Sequence, residues 1–239
     1  MDKEEIRIRL ERNRIPFEKD LPEKLHIYLS LLREWNNRID LTAVTEDEET
    51  VDKHFMDSLT ILKTEMNLND ANLIDVGTGA GFPGMVLAMA CPDLKVTLMD
   101  SQQKRLSFLQ AVSETACVRN VTIIHARAED GARKKELREQ FDYAAARALA
   151  PLNVLCEYLL PYVKVDGCAL CWKGPALKEE IESGRKAAFL LGGRLEMPLS
   201  SPVADREWEH VILPVRKIQH TASIYPRRAG IPKNKPLGN

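Results

Sequence analysis

The strongest chemical signal in the sequence is a glycine-rich turn that follows a short apolar run. Leu73, Ile74 and Val76 suit a buried strand, with Asp75 near its end. Four glycines then follow closely: Gly77, Gly79, Gly81 and Gly84. The next residues, 85–90, are apolar and compatible with a helix. Glycine reaches positive φ at low cost and lets a ligand approach the backbone, while a helix N-terminus offers unpaired N–H groups. The sequence therefore predicts a strand, a nucleotide-type binding loop and a helix.

Two classes of nucleotide ligand fit this loop. Residues 79–84, GAGFPG, match the GxGxxG pattern of dinucleotide sites. The turn begins earlier, however, at Gly77, and Asp75 lies two residues before it, where a pyrophosphate would meet a carboxylate. A zwitterionic or cationic ligand tolerates that acid better. The spacing Asp75-x-Gly77-x-Gly79-x-Gly81 resembles the first motif of class I S-adenosylmethionine methyltransferases, which implies S-adenosylmethionine as cofactor. An ordinary tight turn is the structural alternative.

The second and third predicted strands bring further polar residues to the same edge. Residues 94–99 form a strand that ends at Asp100, 19 residues after Gly81. A carboxylate there can accept both hydroxyl hydrogens of a ribose, so Asp100 is the predicted ribose anchor. The alternative is an acid that only caps the helix starting near Gln102. Residues 121–125 form the third strand, and Ala128 and Glu129 follow it, in place to contact an adenine.

The fourth and fifth predicted strands end in basic residues. Residues 141–147 form the fourth strand, and Arg147 stands at its exit. An arginine there indicates function because burying it unpaired is costly, although a surface salt bridge is the alternative. Residues 167–172 form the fifth strand, which Lys173 ends at the same edge. Cys168 and Cys171 lie three apart on this strand and face opposite sides, so we predict core thiols and no metal site.

The remaining pattern predicts the fold class. Residues 177–190 read as a helix, and 194–199 and 210–218 read as two strands that pair antiparallel. The prediction is an α/β protein of the class I methyltransferase type: a Rossmann-like, mostly parallel seven-stranded sheet with an antiparallel C-terminal hairpin. We predict a helical N-terminal cap over residues 1–70, a core domain over 71–219, and a basic tail over 220–239 on or beside the active site.

The helical cap is predicted from one apolar stripe. Residues at steps of three and four share a helix face: Leu21, Leu25, Tyr28, Leu29, Leu32, Trp35 and Ile39. His54 follows in the same region, and we interpret it as a packed or capping histidine, because spacing alone gives it no catalytic partner.

Charge and cysteine content limit the partners and the compartment. The chain has 34 basic and 35 acidic residues, so its net charge does not indicate nucleic acid. From His210 onward, however, there are only basic charges: Arg216, Lys217, Arg227, Arg228, Lys233 and Lys235. Arginines in this proline-stiffened tail suit phosphates, although a solvated C-terminus is the alternative. Five cysteines, a charged N-terminus and no long apolar run predict a cytoplasmic protein without a membrane segment.

Several longer motifs make the resemblance specific. DVGTGAGFPG, MDSQQKRLSFL, ARAE, FDYAAARALA and YPRRAGIPKNKPL, with HFMDSL near the N-terminus, resemble the RsmG (glucose-inhibited division protein B) family of bacterial 16S ribosomal RNA guanine-N7 methyltransferases. The resemblance covers nearly the whole chain. It implies that S-adenosylmethionine is bound at these residues: Gly77, Phe82, Ala128, Glu129 and Arg147. It also implies methylation of one guanosine in a conserved loop of 16S rRNA, either free or in the small ribosomal subunit.

The chemistry of guanine N7 sets the expectation for catalysis. N7 has a lone pair and no proton to lose, so no general base is expected. We expect Arg147 and Lys173 to position the RNA together with the tail, here Arg227, Arg228 and Lys233, and we expect a monomer.

Three other functions stay open from the residues alone. A ribose 2′-O-methyltransferase would use Lys173 with Asp142 and Glu207. A nicotinamide-dependent oxidoreductase would use GAGFPG. The third is an RNA-binding module with a relic cofactor fold.

Overall fold

The computed structural model describes residues 1–200 and 202–238 and contains one seven-stranded sheet. The strands are β1 (Asn72–Val76), β2 (Lys95–Asp100), β3 (Val121–His125), β4 (Phe141–Arg147), β5 (Val163–Lys173), β6 (Gly193–Leu195) and β7 (Val211–Lys217). Their order across the sheet is β3-β2-β1-β4-β5-β7-β6. The first five strands pair in parallel, and β7 pairs antiparallel with both β5 and β6. The predicted fold class is therefore confirmed.

Helices cover both faces of the sheet. They are α1 (Lys3–Arg12), α2 (Leu21–Asn36), α3 (Asp47–Thr50), α4 (Asp57–Leu59), α5 (Gly84–Ala90), α6 (Gln103–Thr115), α7 (Ala128–Gly131), α8 (Leu152–Leu159), α9 (Leu177–Leu190) and α10 (Ile231–Asn234). A π-helical segment, Val51–Met56, joins α3 to α4, and two 3₁₀ segments, Thr60–Lys63 and Leu160–Tyr162, complete the helical content of the described residues. None of these described helices is long and apolar enough to cross a membrane.

The sheet separates two hydrophobic clusters. Cys168 belongs to the cluster beneath the N-terminal helices, whereas Cys171 belongs to the cluster beneath α8 and α9. Alternate residues of a strand point to opposite faces, so the two fully buried thiols lie on different sides of β5. This placement confirms the prediction that they are core thiols on opposite faces of the strand.

The N-terminal helices pack directly against the glycine turn. Tyr28 of α2 is fully buried, and its hydroxyl donates a hydrogen bond to the carbonyl of Ala80 in the turn. Its ring centroid lies 5.6 Å from that of Phe82 and 6.0 Å from that of Phe108 on α6. The cap and the adjacent face of the sheet thus form one continuous hydrophobic cluster. The cap therefore supports the turn from below.

Two strand boundaries differ from the sequence expectation. The predicted strand 194–199 is shorter and ends at Leu195, while Leu199 makes only an isolated bridge to Ile212. Pro198 lies between them, and a proline has no N–H to donate to the ladder. β5 is longer than expected and begins at Val163, with a register shift opposite β4.

Candidate active site

The glycine turn has the backbone conformation that its sequence predicts. Gly77, Gly79 and Gly81 have φ values of +68°, +58° and +97°. A Cβ atom on Gly77 would lie 2.7 Å from Leu149 Cδ1, which is closer than side chains approach each other. The N–H groups of Gly77 and Thr78 donate to the carbonyl of Met99 at 2.8 and 3.0 Å. The turn is therefore fixed to the end of β2, and Gly77 tolerates no side chain without a local shift.

Asp75 holds the turn from beneath. Its Oδ2 accepts hydrogen bonds from Thr78 Oγ1 at 2.6 Å and from the N–H of Gly84 at 2.8 Å. The side chain is fully buried, and this burial raises the pKa of Asp75 to about 6. Sequence analysis placed its carboxylate where a ligand would meet it. The structure corrects this picture, because Asp75 is not among the residues that line the cavity beside the turn.

A cavity of about 600 Å³ opens beside the turn at the carboxyl ends of β1, β2 and β3. Four of the predicted cofactor residues line it together: Gly77, Asp100, Ala128 and Glu129. Leu149, Pro151 and Val154 give it an apolar wall. Gly230 and Lys233 also line it, and they belong to the predicted tail, called the C-terminal segment below. The order of strands reverses between β1 and β4, and ligands of open α/β sheets bind at such a point. The volume is typical of cofactor sites.

Asp100 both lines this cavity and organises its floor. Its Oδ2 accepts a hydrogen bond from the N–H of Gly79 at 2.9 Å, and its Oδ1 accepts one from the N–H of Gln102 at 2.8 Å. Each carboxylate oxygen has a second lone pair, so both can still accept from a ligand. Asp100 is only 4% exposed, and its bond to Gln102 fixes the residue that precedes α6, so it supports the start of this helix as well as lining the cavity. Gly79 contributes through Asp100 and is not itself part of the lining.

The polar groups around the cavity fit S-adenosylmethionine. Asp100 and Glu129 supply carboxylates, Lys233 supplies an ammonium group, and the wall supplies apolar surface for an adenine ring. Arg105 also lines the cavity, and its buried Nε has no hydrogen-bond partner within residues 1–200 and 202–238. A ligand that carries hydroxyls, an ammonium and a carboxylate complements this mixture of charges.

Arg147 and Phe82 lie outside this larger cavity, in contact with each other. The Cζ atom of Arg147 is 5.1 Å from the centroid of the Phe82 ring. Its Nη1 donates to the carbonyl of Lys53 at 2.8 Å and to Asp57 Oδ2 at 3.2 Å, and its Nη2 donates to His54 Nδ1 at 2.7 Å. Burial lowers the pKa of Arg147, and the nearby Asp57 carboxylate opposes that shift. The guanidinium is thus held rigidly at the exit of β4.

His54 is a packed histidine that orients Arg147. It stacks on Phe82 with ring centroids 4.6 Å apart, and its Nε2 lies 2.9 Å from Thr42 Oγ1. Because Arg147 donates to Nδ1, that nitrogen must be the acceptor, which leaves the proton on Nε2. Burial and the adjacent Arg147 lower the pKa of His54 to about 3, so the ring is neutral at physiological pH.

Arg147 also lines a second, smaller cavity of about 260 Å³ at the ends of β4 and β5. Asp57 and His210 line it as well, with His210 Nδ1 3.1 Å from Asp57 Oδ1. Sequence analysis did not single out either residue, because they are 153 positions apart. The HFMDSL motif contains Asp57, yet nothing in its local spacing points to His210.

Two of the predicted RNA contacts are engaged within the protein. Lys173 Nζ lies 2.5 Å from Glu180 Oε2 and 3.3 Å from the carbonyl of Ala150. Arg227 makes a bidentate ion pair with the buried Glu157, with Nη2 2.6 Å from Oε2 and Nε 3.0 Å from Oε1. The expectation that Arg227 is free to bind phosphate is therefore corrected, because this side chain neutralises a buried carboxylate. Arg228 and Lys233 are exposed and stay predicted RNA contacts.

The sheet order and the place of the cavity are those of the class I S-adenosylmethionine methyltransferase fold. The structure is similar to M. jannaschii TYW2 in complex with AdoMet, with a TM-score of 0.54, 15% identity, and 75% of this chain and 81% of that chain covered. It is also similar to a mutant of MtNAS in complex with S-adenosylmethionine, with a TM-score of 0.55, 15% identity, and coverage of 82% and 76%. These similarities concern the fold.

Sequence comparison identifies the family. The family model GidB, rRNA small subunit methyltransferase G, matches residues 21–207. Ribosomal RNA small subunit methyltransferase G of Clostridium botulinum (strain Alaska E43 / Type E3) is 47% identical over 219 residues, which cover 92% of each chain. The protein of the same name from Alkaliphilus metalliredigens is 45% identical and covers 90% of each. The chain belongs to the GidB family, and S-adenosylmethionine is its cofactor.

Proposed function

We propose that this protein transfers the methyl group of S-adenosylmethionine to N7 of a guanosine in a conserved loop of 16S rRNA. The observation that carries the proposal is the larger cavity at the ends of β1 to β3, with Asp100 and Glu129 in its lining, in a chain of this family. The Clostridium botulinum relative has the name of an rRNA methyltransferase. Bases in RNA loops can leave the stack and enter an enzyme pocket.

The residues of the site suit a displacement that needs no general base. S-Adenosylmethionine, when bound, supplies a methyl group on a positively charged sulfur: the lone pair of guanine N7 forms the new bond as the carbon–sulfur bond breaks, and that electron pair stays on sulfur. Gly77, Asp100 and Glu129 are placed to bind and orient the cofactor. His54 is neutral and engaged with Thr42 and Arg147, so it does not serve as a proton acceptor.

The ribose 2′-O-methyltransferase alternative lacks its catalytic group. That reaction needs a lysine to activate the hydroxyl, but Lys173 is paired with Glu180. Asp142 lies at the opposite end of β4 from Arg147. Its Oδ1 is 3.0 Å from Lys164 Nζ, and its Oδ2 accepts a hydrogen bond from the N–H of Asn72. The proposed trio of Lys173, Asp142 and Glu207 is therefore not gathered at one place.

The nicotinamide alternative also finds little support in the cavity. Asp75 is buried and does not repel a pyrophosphate directly, so that part of the sequence argument does not apply. Asp100 and Glu129 do line the cavity, however, and they give it the acidic character that was expected from Asp75. Family membership then favours the sulfonium cofactor.

The RNA contacts and the setting complete the proposal. Arg228 and Lys233 are exposed on the C-terminal segment beside the larger cavity, where they suit phosphates of the substrate. We propose a cytoplasmic monomer that acts on 16S rRNA or the small ribosomal subunit.

A comparison of ribosomal RNA from cells with and without the protein tests this function. Mass spectrometry of digested 16S rRNA should show 7-methylguanosine at one position only when the protein is present. A methyl group on ribose at that position would support the 2′-O alternative, and identical methylation in both RNAs would contradict the proposal.

A further inference from the structure

The smaller cavity lies directly beside the cofactor cavity. Ala148 lines the smaller cavity, and the next residues, Leu149 and Ala150, line the larger one. A single stretch of backbone after β4 therefore separates them. On the proposed function, on which this inference rests, the reacting base must enter a space next to the cofactor, and the smaller cavity is that space.

Asp57 is a strong hydrogen-bond acceptor in the lining of the smaller cavity. Asp57 is only 4% exposed. Its Oδ2 lies 3.2 Å from Arg147 Nη1, and its Oδ1 lies 3.1 Å from His210 Nδ1. Each oxygen retains a lone pair for another donor. A buried carboxylate held by a fixed guanidinium is preorganised, because Arg147 is itself bound by the carbonyl of Lys53 and by His54. The cavity thus presents a rigid acceptor pair.

Guanine is the base that complements this acceptor pair. It alone among the four bases carries two neighbouring donors, N1–H and the N2 amino group, on its Watson–Crick edge. A carboxylate can accept both, as protein carboxylates accept from base amino groups. Contacts at N1 and N2 also leave the lone pair of N7 free, whereas a donor placed against N7 would block the reaction.

We propose that the smaller cavity receives the target guanine and that Asp57 is a specificity-determining residue that accepts hydrogen bonds from N1 and N2. His210, whose side chain is 34% exposed, has its Nδ1 3.1 Å from Asp57 Oδ1 and orients the carboxylate. Methylation of N7 places positive charge on the ring and makes N1–H a stronger donor. The hydrogen bond to Asp57 therefore strengthens as the reaction proceeds, which stabilises the transition state more than the bound substrate.

An inosine substrate tests the proposal on the unaltered protein. Small-subunit RNA would carry either guanosine or inosine, which lacks the N2 amino group, at the methylated position. The wild-type kcat/KM should be at least about 10-fold lower for inosine, since a site built to bind a polar group rejects the analogue that lacks it. Equal rates on both RNAs would overturn the guanine pocket but leave the proposed function intact. If the guanosine RNA gains no methyl group at N7, the proposed function itself is wrong.

Asp57→Asn separates recognition from folding. It keeps the shape of the side chain but places an amide N–H against the donors of the base. The ratio of guanosine to inosine kcat/KM should fall to within about 2-fold of unity. Affinity for S-adenosylhomocysteine, measured by calorimetry, should be retained, which would show that the protein is folded. A variant that still prefers guanosine as strongly as wild type would overturn the role of Asp57.

A second variant tests the cavity without touching its charges. A Cβ on Gly174 would have only His210 Cδ2 nearby, at 3.8 Å, so the first atom of a new side chain meets no clash, and Gly174→Leu adds bulk at the lining of the cavity. We expect kcat/KM on RNA to fall at least about 10-fold while S-adenosylhomocysteine still binds. Ala176→Leu, which adds a similar bulk at an exposed position nearby, is the matched control. Unchanged activity of Gly174→Leu would overturn the location of the base.

Discussion

At the scale of single residues, the glycine turn depends on one buried acid and on the absence of side chains. Asp75 receives hydrogen bonds from Thr78 and Gly84, which lie on both sides of the turn. Its Oδ1 is buried and has no partner within the described residues 1–200 and 202–238. The carboxylate therefore stabilises the turn locally at a cost in desolvation. We therefore expect Asp75 to make stability depend on pH, and we expect a side chain at Gly77 to weaken ligand binding.

The stability of the protein should respond to the ionisation of Asp75. Burial raises its folded pKa from 3.8 to about 6, so its contribution is fully favourable only below 3.8 and is lost as the pH rises through 6. Asp75→Asn removes this titration. Wild type should therefore lose about 1 kcal/mol of stability between pH 5 and pH 8 that the variant does not lose. Relative to wild type, the variant is more stable at pH 8 than at pH 5 by that amount. Urea unfolding at both pH values measures it.

The control for this measurement is Asp93→Asn, which changes an exposed carboxyl between α5 and β2. Its difference from wild type should be the same at both pH values to within a few tenths of a kcal/mol. A pH-independent difference for Asp75→Asn would contradict the raised pKa.

Gly77→Ala should weaken cofactor binding. The φ of +68° strains an alanine, and its Cβ would contact Leu149, which lines the cofactor cavity. The displaced Leu149 side chain would reshape the wall of this cavity, and a loss of about 1–2 kcal/mol of binding free energy corresponds to roughly a 10-fold loss of affinity. Calorimetry with S-adenosylhomocysteine measures it. Gly174→Ala, where a Cβ has room, should keep wild-type affinity, and equal affinities for both variants would refute the prediction.

At the scale of elements, the C-terminal segment is an ordered part of the site. The N–H of Gly230 donates to Glu129 Oε1 at 2.9 Å, and Asn153 Nδ2 donates to the carbonyl of Leu237 at 3.0 Å. Arg227 is fixed on Glu157 of α8, and this interaction raises the pKa of Arg227. The segment thus packs on α7 and α8 through these residues. Arg227 therefore holds the segment in place, whereas the adjacent Arg228 is exposed and stays a predicted RNA contact.

Alanine substitutions should separate the two arginines. Arg227→Ala leaves the buried Glu157 unpaired and should lower the free energy of unfolding by about 2 kcal/mol. Arg228→Ala should leave stability within about 0.5 kcal/mol of wild type, because its side chain is exposed. It should weaken RNA binding and reduce the slope of log K against log salt by about 0.7 to 0.9. Urea unfolding and RNA binding at several salt concentrations measure both. Equal stability of the two variants would contradict this division.

At the scale of the whole molecule, the N-terminal cap and the core share one hydrophobic cluster. Leu25, Tyr28 and Phe55 from the cap belong to the same cluster as Leu73 and Leu109 from the core. The cap therefore has no separate interior, although residue 70 stays our predicted boundary in the sequence. Because Tyr28 contacts the carbonyl of Ala80, loss of the cap would also release the glycine turn.

The cap and the core should unfold together. Far-UV circular dichroism and tryptophan fluorescence should give coincident urea transitions, since an independent cap would unfold separately. Tyr28→Phe removes the hydroxyl that satisfies the buried carbonyl of Ala80 and should move both transitions to lower urea by the equivalent of about 1–3 kcal/mol. Lys19→Ala, at an exposed site before α2, is the control. Separate transitions would show that the cap is an independent domain.

The sequence by itself determined the architecture and the cofactor edge of this protein. Apolar runs, glycines and strand-terminal acids are local signals, so they located β1 to β4, the turn at Gly77, and the grouping of Asp100 with Ala128 and Glu129. The tertiary structure alone decided which charges stay free. Arg227 meets Glu157 across 70 positions, and Asp57 meets His210 across 153. Such pairs depend on how distant elements pack, because the residues next to a carboxylate in the sequence do not indicate which distant cation will neutralise it.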